Sequence, residues 1–172
     1  DTNVFSLFGL APATDYTVSV RFDGDSAEER ITLTTTRETC CVSVKDFGAA
    51  GDGVHEDTAA LQAAISFLPE GGRLRFPAGT YLTLPLCLKS HITLELDEGA
   101  VLLGSTERER YPILPSTTTD PITGAETLFN GFEGQEFACY QSLIHASFAQ
   151  DIAIVGRGTV DGNGQNGDWW QE

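Results

Sequence analysis

Residues 44–81 constrain the fold of this chain more than any other segment, and they read VKDFGAAGDGVHEDTAALQAAISFLPEGGRLRFPAGTY. A short strand-like start leads into a glycine-rich bend. A helical pattern follows, with Leu61, Ile65 and Leu68 on one face. Pro69 and the two glycines behind it end the helix, and strand-like residues come next. One amphipathic helix followed by short strands is typical of a cap and the first turns of a solenoid.

The helix is predicted over residues 57–68. Asp57 is expected to be its N-cap, because Asp side chains accept hydrogen bonds from the first backbone N–H groups of helices, and Thr58 opens the first turn. Ala64 completes the apolar face. The open end of a solenoid exposes apolar side chains and unpaired backbone groups, and such a helix is suited to cover them.

Beyond Gly72 the sequence predicts short strands separated by turn residues. They fall at residues 74–76, 81–84, 86–88, 92–96, 100–103, 143–145, 152–155 and 159–160. Strands this short favour a parallel β-helix, in which each coil contributes one strand to each of several sheets. In the clearest example Ile92, Leu94 and Leu96 point inward, while Thr93 and Glu95 point outward.

Residues 105–141 interrupt this pattern and are rich in Thr, Gly, Pro and Glu. They are interpreted as a long insertion between two coils. Insertions in solenoids gather on one face, which is often the binding face. The insertion is therefore expected to narrow a cleft on that face.

Residues 1–37 form a separate unit, predicted to be a β-hairpin. Its first strand carries Tyr16, Val18, Val20 and Phe22 on one face, its second carries Ile31 and Leu33, and Gly24 and Asp25 supply the turn. The lead-in LAPATDY, residues 10–16, resembles the tyrosine corner of fibronectin type III domains. The resemblance implies the C-terminal part of such a module, and the alternative is a plain hairpin packed on its neighbour. Residues 38–43 are a linker or the first strand of the next unit.

Charge and composition exclude several functions. The 172 residues carry a net charge of −15, with 25 acidic and 10 basic side chains, so nucleic acid is not an expected partner. The chain has no run of eighteen apolar residues and no signal-peptide pattern, so no membrane partner is expected. Met is absent, from which we expect that the chain derives from a longer precursor.

The four cysteines are Cys40, Cys41, Cys87 and Cys139. Their spacing is not that of a zinc site, and neither a metal nor another cofactor is expected. Cys40 and Cys41 would point to opposite faces of a strand. Two interpretations stay open: one of them pairs with Cys87 or Cys139 in an oxidising compartment, or all four are small buried residues.

Several motifs together resemble one family. They are DFGAAGDG at 46–53, DTAALQAAI at 57–65, FPAGTY at 76–81 and GRGTVDGNG at 156–164 followed by Trp169 and Trp170. Residues 42–172 resemble the pectin-degrading right-handed β-helix enzymes, and most of all the polygalacturonases of glycoside hydrolase family 28. A fibronectin-like module in front resembles the bacterial exo-acting members.

The resemblance implies hydrolysis of α-1,4-galacturonosyl bonds in pectin with inversion, which needs two carboxyl groups roughly 6.5–9.5 Å apart. The family's catalytic motifs, Asn-Thr-Asp, Asp-Asp, Gly-His-Gly and Arg-Ile-Lys, do not occur in this sequence. We therefore assign no catalytic residue here. We expect an N-terminal fragment that is inactive by itself and that associates with the missing coils or with another copy.

Trp169, Trp170 and His145 are the candidate substrate-binding residues. The tryptophans can stack on sugar rings, or they can pack against the side of the solenoid. His145 follows an apolar strand and can face a cleft, or it can be a partly buried structural residue. The acidic turns Asp97-Glu98-Gly99 and Asp161-Gly162-Asn163 are interpreted as turns rather than as catalytic sites.

The expected partner is therefore an acidic polysaccharide, homogalacturonan or its oligomers, and the expected location is extracellular or periplasmic. Two alternatives remain. One is a polyuronate lyase on the same scaffold. The other is a non-enzymatic carbohydrate-binding or tail-spike-like β-helix.

Overall fold

Short parallel strands stacked in coils make up most of this chain. The computed structural model describes residues 6–21, 28–133 and 135–169. The predicted turn residues Phe22, Gly24 and Asp25 lie outside these ranges. The predicted hairpin of β1 (Asp15–Arg21) and β2 (Glu28–Thr34) precedes the coils in the chain. These strands pair antiparallel, with Tyr16 opposite Leu33.

The first three coils follow from Cys40 onward. Their elements, in chain order, are β3 (Cys40–Ser43), a 3₁₀ helix (Val44–Phe47), β4 (Asp52–Glu56), α1 (Thr58–Phe67), β5 (Gly72–Phe76), β6 (Gly79–Thr83), β7 (Leu86–Cys87), β8 (Ile92–Leu96) and β9 (Ala100–Gly104). The helix and the strands lie within two residues of their predicted bounds. Of the two interpretations of residues 38–43, the structure shows the strand over 40–43.

The insertion over residues 105–141 contains only small antiparallel pairs. After a 3₁₀ helix (Arg108–Arg110) its strands are β10 (Ile113–Leu114), β11 (Thr117–Thr119), β12 (Glu126–Leu128), β13 (Gly131–Phe132), β14 (Gln135–Glu136) and β15 (Cys139–Tyr140). β10 pairs with β15, β11 with β12, and β13 with β14. The insertion is thus a set of hairpins added to the solenoid, as the change in composition predicted.

The last coil returns to the parallel pattern with β16 (Ile144–His145), β17 (Ile152–Gly156), β18 (Thr159–Asp161) and a 3₁₀ helix (Gly164–Asn166). Three parallel sheets result. The first has the order β17-β8-β5-β3, the second β18-β9-β6-β4, and the third contains β16 and β7. This is the predicted parallel β-helix.

The core is built from side chains that stack in register from coil to coil. In the first sheet Leu74 lies opposite Leu94, and Leu94 lies opposite Ile154. In the second sheet Tyr81 lies opposite Leu102. Leu74, Leu94, Tyr81 and Leu102 are fully buried. The alternation along β8 confirms the predicted inward and outward positions, because parallel strands in register repeat each side-chain direction.

Helix α1 closes the first end of the solenoid. Its buried face is Leu61, Ala64 and Ile65, as the helical spacing predicted. The Gln62 side chain takes the place of a neighbouring strand, since its Nε2 donates to Cys87 O at 2.9 Å and its Oε1 accepts from Cys87 N at 2.9 Å. The helix therefore buries the apolar side chains of the coil below it and also forms hydrogen bonds with the backbone of that coil.

The predicted side-chain N-cap at Asp57 is wrong. Asp57 precedes α1 but makes no side-chain hydrogen bond to it. Its buried carboxylate instead accepts hydrogen bonds from the backbone N–H groups of Ala50 at 2.5 Å and Gly51 at 2.9 Å. The carboxylate binds these two donors of the glycine-rich bend and not the first turn of the helix, so Asp57 holds the bend.

The four cysteines are all free, which contradicts the interpretation that Cys40 or Cys41 pairs with Cys87 or Cys139. The expectation that they are small buried residues is also wrong, because Cys41 and Cys87 are exposed and Cys40 and Cys139 are half-buried. Cys40 and Cys41 do point to opposite faces, as a strand requires. Among the residues that the structure describes, no helix is long and apolar enough to cross a membrane.

Candidate functional site

The candidate site lies where the insertion meets the turn after β18. Asn163 organises this turn and has a left-handed backbone, with φ +57°. Its N–H donates to Asp161 Oδ1 at 2.8 Å, and its side-chain Nδ2 donates to Gly104 O in the coil below at 2.9 Å. The residues Asp161-Gly162-Asn163 therefore form the predicted turn.

Tyr111 fixes the beginning of the insertion against the same turn. The residue is buried, and its hydroxyl donates to Ser105 O at 2.9 Å. Burial raises the pKa of Tyr111. The phenol therefore stays neutral and remains a hydrogen-bond donor.

Trp169 packs between two tyrosines of the insertion. Its ring lies 5.0 Å from the Tyr111 ring at an interplanar angle of 82°, and 5.6 Å from the Tyr140 ring at 86°. Both are edge-to-face arrangements, which aromatic pairs prefer. The indole Nε1 is buried and has no hydrogen-bond partner in the described part of the chain. Trp170 lies outside the described residues.

These aromatic side chains line an open cavity of about 520 Å³. We call it the Trp169 cavity; it is lined by Tyr111, Tyr140, Gln141, Ser142, Leu143, Gly162, Gly164 and Trp169. None of these residues carries a charge at neutral pH. Gln141 is buried, and its amide Nε2 lies 3.1 Å from Cys87 Sγ. The cavity presents aromatic rings, a hydroxyl and an amide, which are the groups that bind sugars in proteins.

The charged residues beside the cavity are already paired. Arg108 Nη2 lies 3.3 Å from the Asp168 carboxylate. Arg110 Nη1 lies 2.6 Å from carboxylate oxygens of Glu56 and Glu107. Hydrogen bonds to these carboxylates, first Glu107 and then Glu56, raise the pKa of Arg110. Neither guanidinium is left without a carboxylate partner.

His145 lies in a different hollow. Its Nε2 is 2.7 Å from Ser147 Oγ, and its ring stands edge-to-face with Phe129 at 5.4 Å. This hollow has a volume of about 250 Å³ and also contacts Phe148. His145 and Trp169 therefore line different cavities, although both were predicted from the sequence to bind substrate.

The acidic residues of the other predicted turn, Asp97 and Glu98, form ion pairs with arginines. Asp97 Oδ2 pairs with Arg75 Nη2 at 2.8 Å, and Glu98 Oε2 lies 3.6 Å from Arg157 Nη1. Gly99 has φ +85°, as a turn glycine does. Within residues 6–21, 28–133 and 135–169, no group of three or more His, Cys, Asp or Glu side chains is arranged to hold a metal ion.

A larger hollow of about 670 Å³ lies between residues 6–12 and the outer face of the first sheet. Its charged members bind each other, since Arg73 Nη1 donates to Glu95 Oε2 at 3.0 Å. Arg73 Nε lies 2.7 Å from Glu38 Oε2. The angle of this second contact does not suit a hydrogen bond, and Nε is left without an acceptor. We interpret this contact as an ion pair that joins the segment before β3 to the outer face of the first sheet.

Sequence reasoning missed Tyr111, Tyr140 and Gln141 as members of the site. Tyr111 is 58 residues before Trp169, and neither its spacing nor its neighbours predict their contact. The one available signal is an aromatic residue directly after the charged residues Arg108–Arg110. Aromatic side chains inside a polar insertion generally pack against other apolar side chains rather than face water.

Comparisons with known proteins agree with this fold. Residues 41–117 match the family described as rhamnogalacturonase A/epimerase, pectate lyase-like. The chain is 36% identical to the exo-poly-alpha-D-galacturonosidase of Dickeya chrysanthemi over 163 residues, which cover 91% of this chain and 26% of that protein. It is 38% identical to a probable polygalacturonase of Vitis vinifera over 137 residues, which cover 75% of this chain and 25% of that protein.

Among solved structures, the family 28 exopolygalacturonase of Yersinia enterocolitica superposes with a TM-score of 0.64 and 35% identity, over 90% of this chain and 27% of that one. The fold is thus that of the pectin-degrading parallel β-helix proteins. Within this class the chain is similar to polygalacturonases, one of them a family 28 exopolygalacturonase. It spans about a quarter of the length of the two curated relatives named above.

Proposed function

We propose that this chain is part of a polygalacturonase-like hydrolase that cleaves α-1,4-galacturonosyl bonds of pectin with inversion. The observation that carries the proposal is the similarity to an exo-poly-alpha-D-galacturonosidase along 91% of the chain, which includes the insertion. The parallel β-helix and the aromatic cavity beside the insertion support it.

In this proposal the chain supplies the cap, the first coils and part of the substrate-binding surface. Trp169 binds substrate at its cavity with Tyr140, and Trp170 is proposed to bind substrate as well. His145 contacts the polymer through the separate hollow that contains Phe129. The catalytic carboxyl groups, which inverting enzymes hold roughly 6.5–9.5 Å apart, come from elsewhere in the protein.

We propose attack at the chain end. Two relatives with this fold, from Dickeya chrysanthemi and Yersinia enterocolitica, are described as exo-acting. The hairpins of residues 105–141 pack on Trp169 through Tyr111 and Tyr140, and a wall at this position would block one end of a groove. The substrate is therefore proposed to be homogalacturonan or its oligomers.

The test is to assay the protein that contains this chain on polygalacturonate. We expect release of monomeric or dimeric galacturonate, and the initial anomer seen by NMR should be inverted. Release of an unsaturated, ultraviolet-absorbing product would instead indicate a lyase. Binding of the polymer without cleavage would indicate a non-enzymatic protein.

The isolated 172-residue chain should release no reducing sugar, because it holds none of the family's catalytic motifs. We further propose that it associates with additional coils of the β-helix or with a second copy. Ile154 and Val160 give a reason, since they are 43% and 46% exposed at inward positions. Light scattering that showed a uniform monomer would contradict this association.

We also propose that residues 1–37 belong to a fibronectin type III-like module. The β-helix was predicted over residues 44–172, and in the structure its first sheet already includes β3 (Cys40–Ser43). The support is local: Ala11 N donates to the Tyr16 hydroxyl at 2.8 Å, which is the hydrogen bond of a tyrosine corner. The apolar face of the hairpin is open, since Ile31 is 56% exposed. Because pectin lies outside cells, we propose a secreted or periplasmic location, which fractionation of the source cells would test.

A further inference from the structure

We propose that the Trp169 cavity binds a galacturonate unit in its neutral, methyl-esterified form in preference to the free uronate. The inference rests on the proposed function and names the pectin form that this subsite selects. The cavity has a suitable size, because its volume of about 520 Å³ falls within the roughly 300–1,000 Å³ of small-molecule sites.

The first argument is electrostatic. A carboxylate that leaves water needs a cation or several donors in exchange, and an unpaired buried charge is strongly disfavoured. The lining of the cavity contains no Lys or Arg. The neighbouring guanidinium groups of Arg108 and Arg110 are held by Asp168, Glu56 and Glu107. The net charge of −15 adds a repulsive field for any anion.

The second argument is the chemistry of the wall. Tyr111, Tyr140 and Trp169 present aromatic surface, on which a methyl group and the C–H face of a sugar lose little by leaving water. The indole Nε1–H of Trp169 is buried without an acceptor in the described part of the chain. Such a donor needs an explanation in a native structure. An ester carbonyl or a ring hydroxyl would supply the acceptor that this donor lacks.

Methyl esterification of a galacturonate unit removes its charge, adds an apolar methyl group and keeps a carbonyl acceptor. Each of these changes matches a property of the cavity. A free uronate fits only the last of the three.

The test is a fluorescence titration of the 172-residue chain. Trp169 lines this cavity, so the change in its emission follows binding there. The ligands are digalacturonate, its dimethyl ester and the corresponding neutral galactose disaccharide. We expect the ester to bind at least about tenfold more tightly than the free acid. Equal or tighter binding of the free acid, or no saturable binding of the ester, would overturn the proposal.

Variants locate the binding and test its electrostatic basis. Tyr140 is 42% exposed, so Tyr140→Ala should fold and should weaken ester binding at least about fivefold, because an aromatic contact is lost. Phe67→Ala is the matched control, since Phe67 is a 60% exposed aromatic residue on α1 and lines neither hollow; it should leave the affinity unchanged.

Ser142→Lys places an ammonium group on the cavity wall and should raise the affinity for the free acid, whereas Ser142→Gln should not. If Ser142→Lys left the preference for the methyl ester over the free acid unchanged, the charge of the ligand would not be the cause of that preference.

The assay of the whole protein separates the two proposals. Hydrolysis of polygalacturonate without an advantage of the ester at this cavity overturns the inference alone. Absence of hydrolysis together with absence of binding overturns the proposed function as well.

Discussion

The two ends of the stacked coils differ in how deeply they bury apolar side chains. At the first end α1 covers the core, and Leu61 and Ile65 are buried. At the other end Ile154 continues the row of Leu74 and Leu94 but is 43% exposed. The residue type and the strand position are equivalent, and only the covering layer differs. Burial in a solenoid is therefore a property of the neighbouring coil rather than of the strand itself.

The largest effect is expected from substitution within the covered rows. Leu94→Ala should lower the free energy of unfolding by about 2–5 kcal/mol, because it removes buried methyl groups and leaves a cavity. Ile154→Ala should cost about 1 kcal/mol or less, because much of its side chain is already in contact with water. Urea unfolding followed by circular dichroism measures both, and equal costs would contradict the contrast between the ends.

Asp57→Ala should come next, at about 2–3 kcal/mol, because two backbone N–H groups of the glycine-rich bend lose a charged acceptor. Asp57→Asn keeps one acceptor oxygen and should cost less. The same unfolding experiment reads both variants. If Asp57→Ala were neutral, the carboxylate would not be what holds the bend next to α1.

Gln62→Ala should cost about 1–2 kcal/mol, since it leaves the N–H and C=O of Cys87 without partners at the capped end. Gln165→Ala is the control, because Gln165 is exposed in the turn near the other end. Amide hydrogen exchange should show faster exchange at Cys87 in the first variant only. Unchanged exchange at Cys87 would mean that the helix does not replace a strand.

The smallest effect concerns His55, on the exposed strand β4 of the first coil. Its Nδ1 lies 2.6 Å from Asp52 Oδ2, and this hydrogen bond and the charge of Asp52 raise the pKa of His55 above 6.5. The pair therefore stabilises this strand fully below pH 6.5, and the contribution is lost as the pH rises through the raised pKa. Hydrogen bonds from His55 and Val54 lower the pKa of Asp52.

An NMR titration of His55 checks this expectation, and Asp52→Asn should return its midpoint towards the ordinary value. A wild-type midpoint below 6.5 would show that the pair does not form in solution. Because both side chains are exposed, the effect on overall stability should be too small to shift the unfolding curve visibly.

Elements with a strong local pattern were predictable. The spacing of Leu61, Ile65 and Leu68 defined one face of α1, and the alternation of residues 92–96 defined β8, because one side of each element must face the core. The short strands and frequent turns predicted the parallel β-helix. The change of composition at residues 105–141 marked the insertion, although its internal pairs were not predicted.

The candidate site was predicted only in part. Trp169 was named from its residue type, but its partners Tyr111 and Tyr140 lie in the insertion, and contacts between distant segments leave no periodic signal. The same limit explains the separation of His145 from Trp169. It also explains why the N-cap prediction for Asp57 was wrong. The sequence offered its carboxylate two sets of backbone N–H donors, those of the first helical turn and those of the glycine-rich bend, and did not decide between them.

The sequence by itself determined which side chains face inward, since alternation and helical spacing follow from backbone geometry. It also determined the uncharged chemistry of the residues that became the cavity wall. The tertiary structure alone decided which coil covers which, where the insertion packs and which acceptor each buried donor reaches. Those outcomes depend on the stacking of segments far apart in the chain, and the free energies involved exist only once the segments meet.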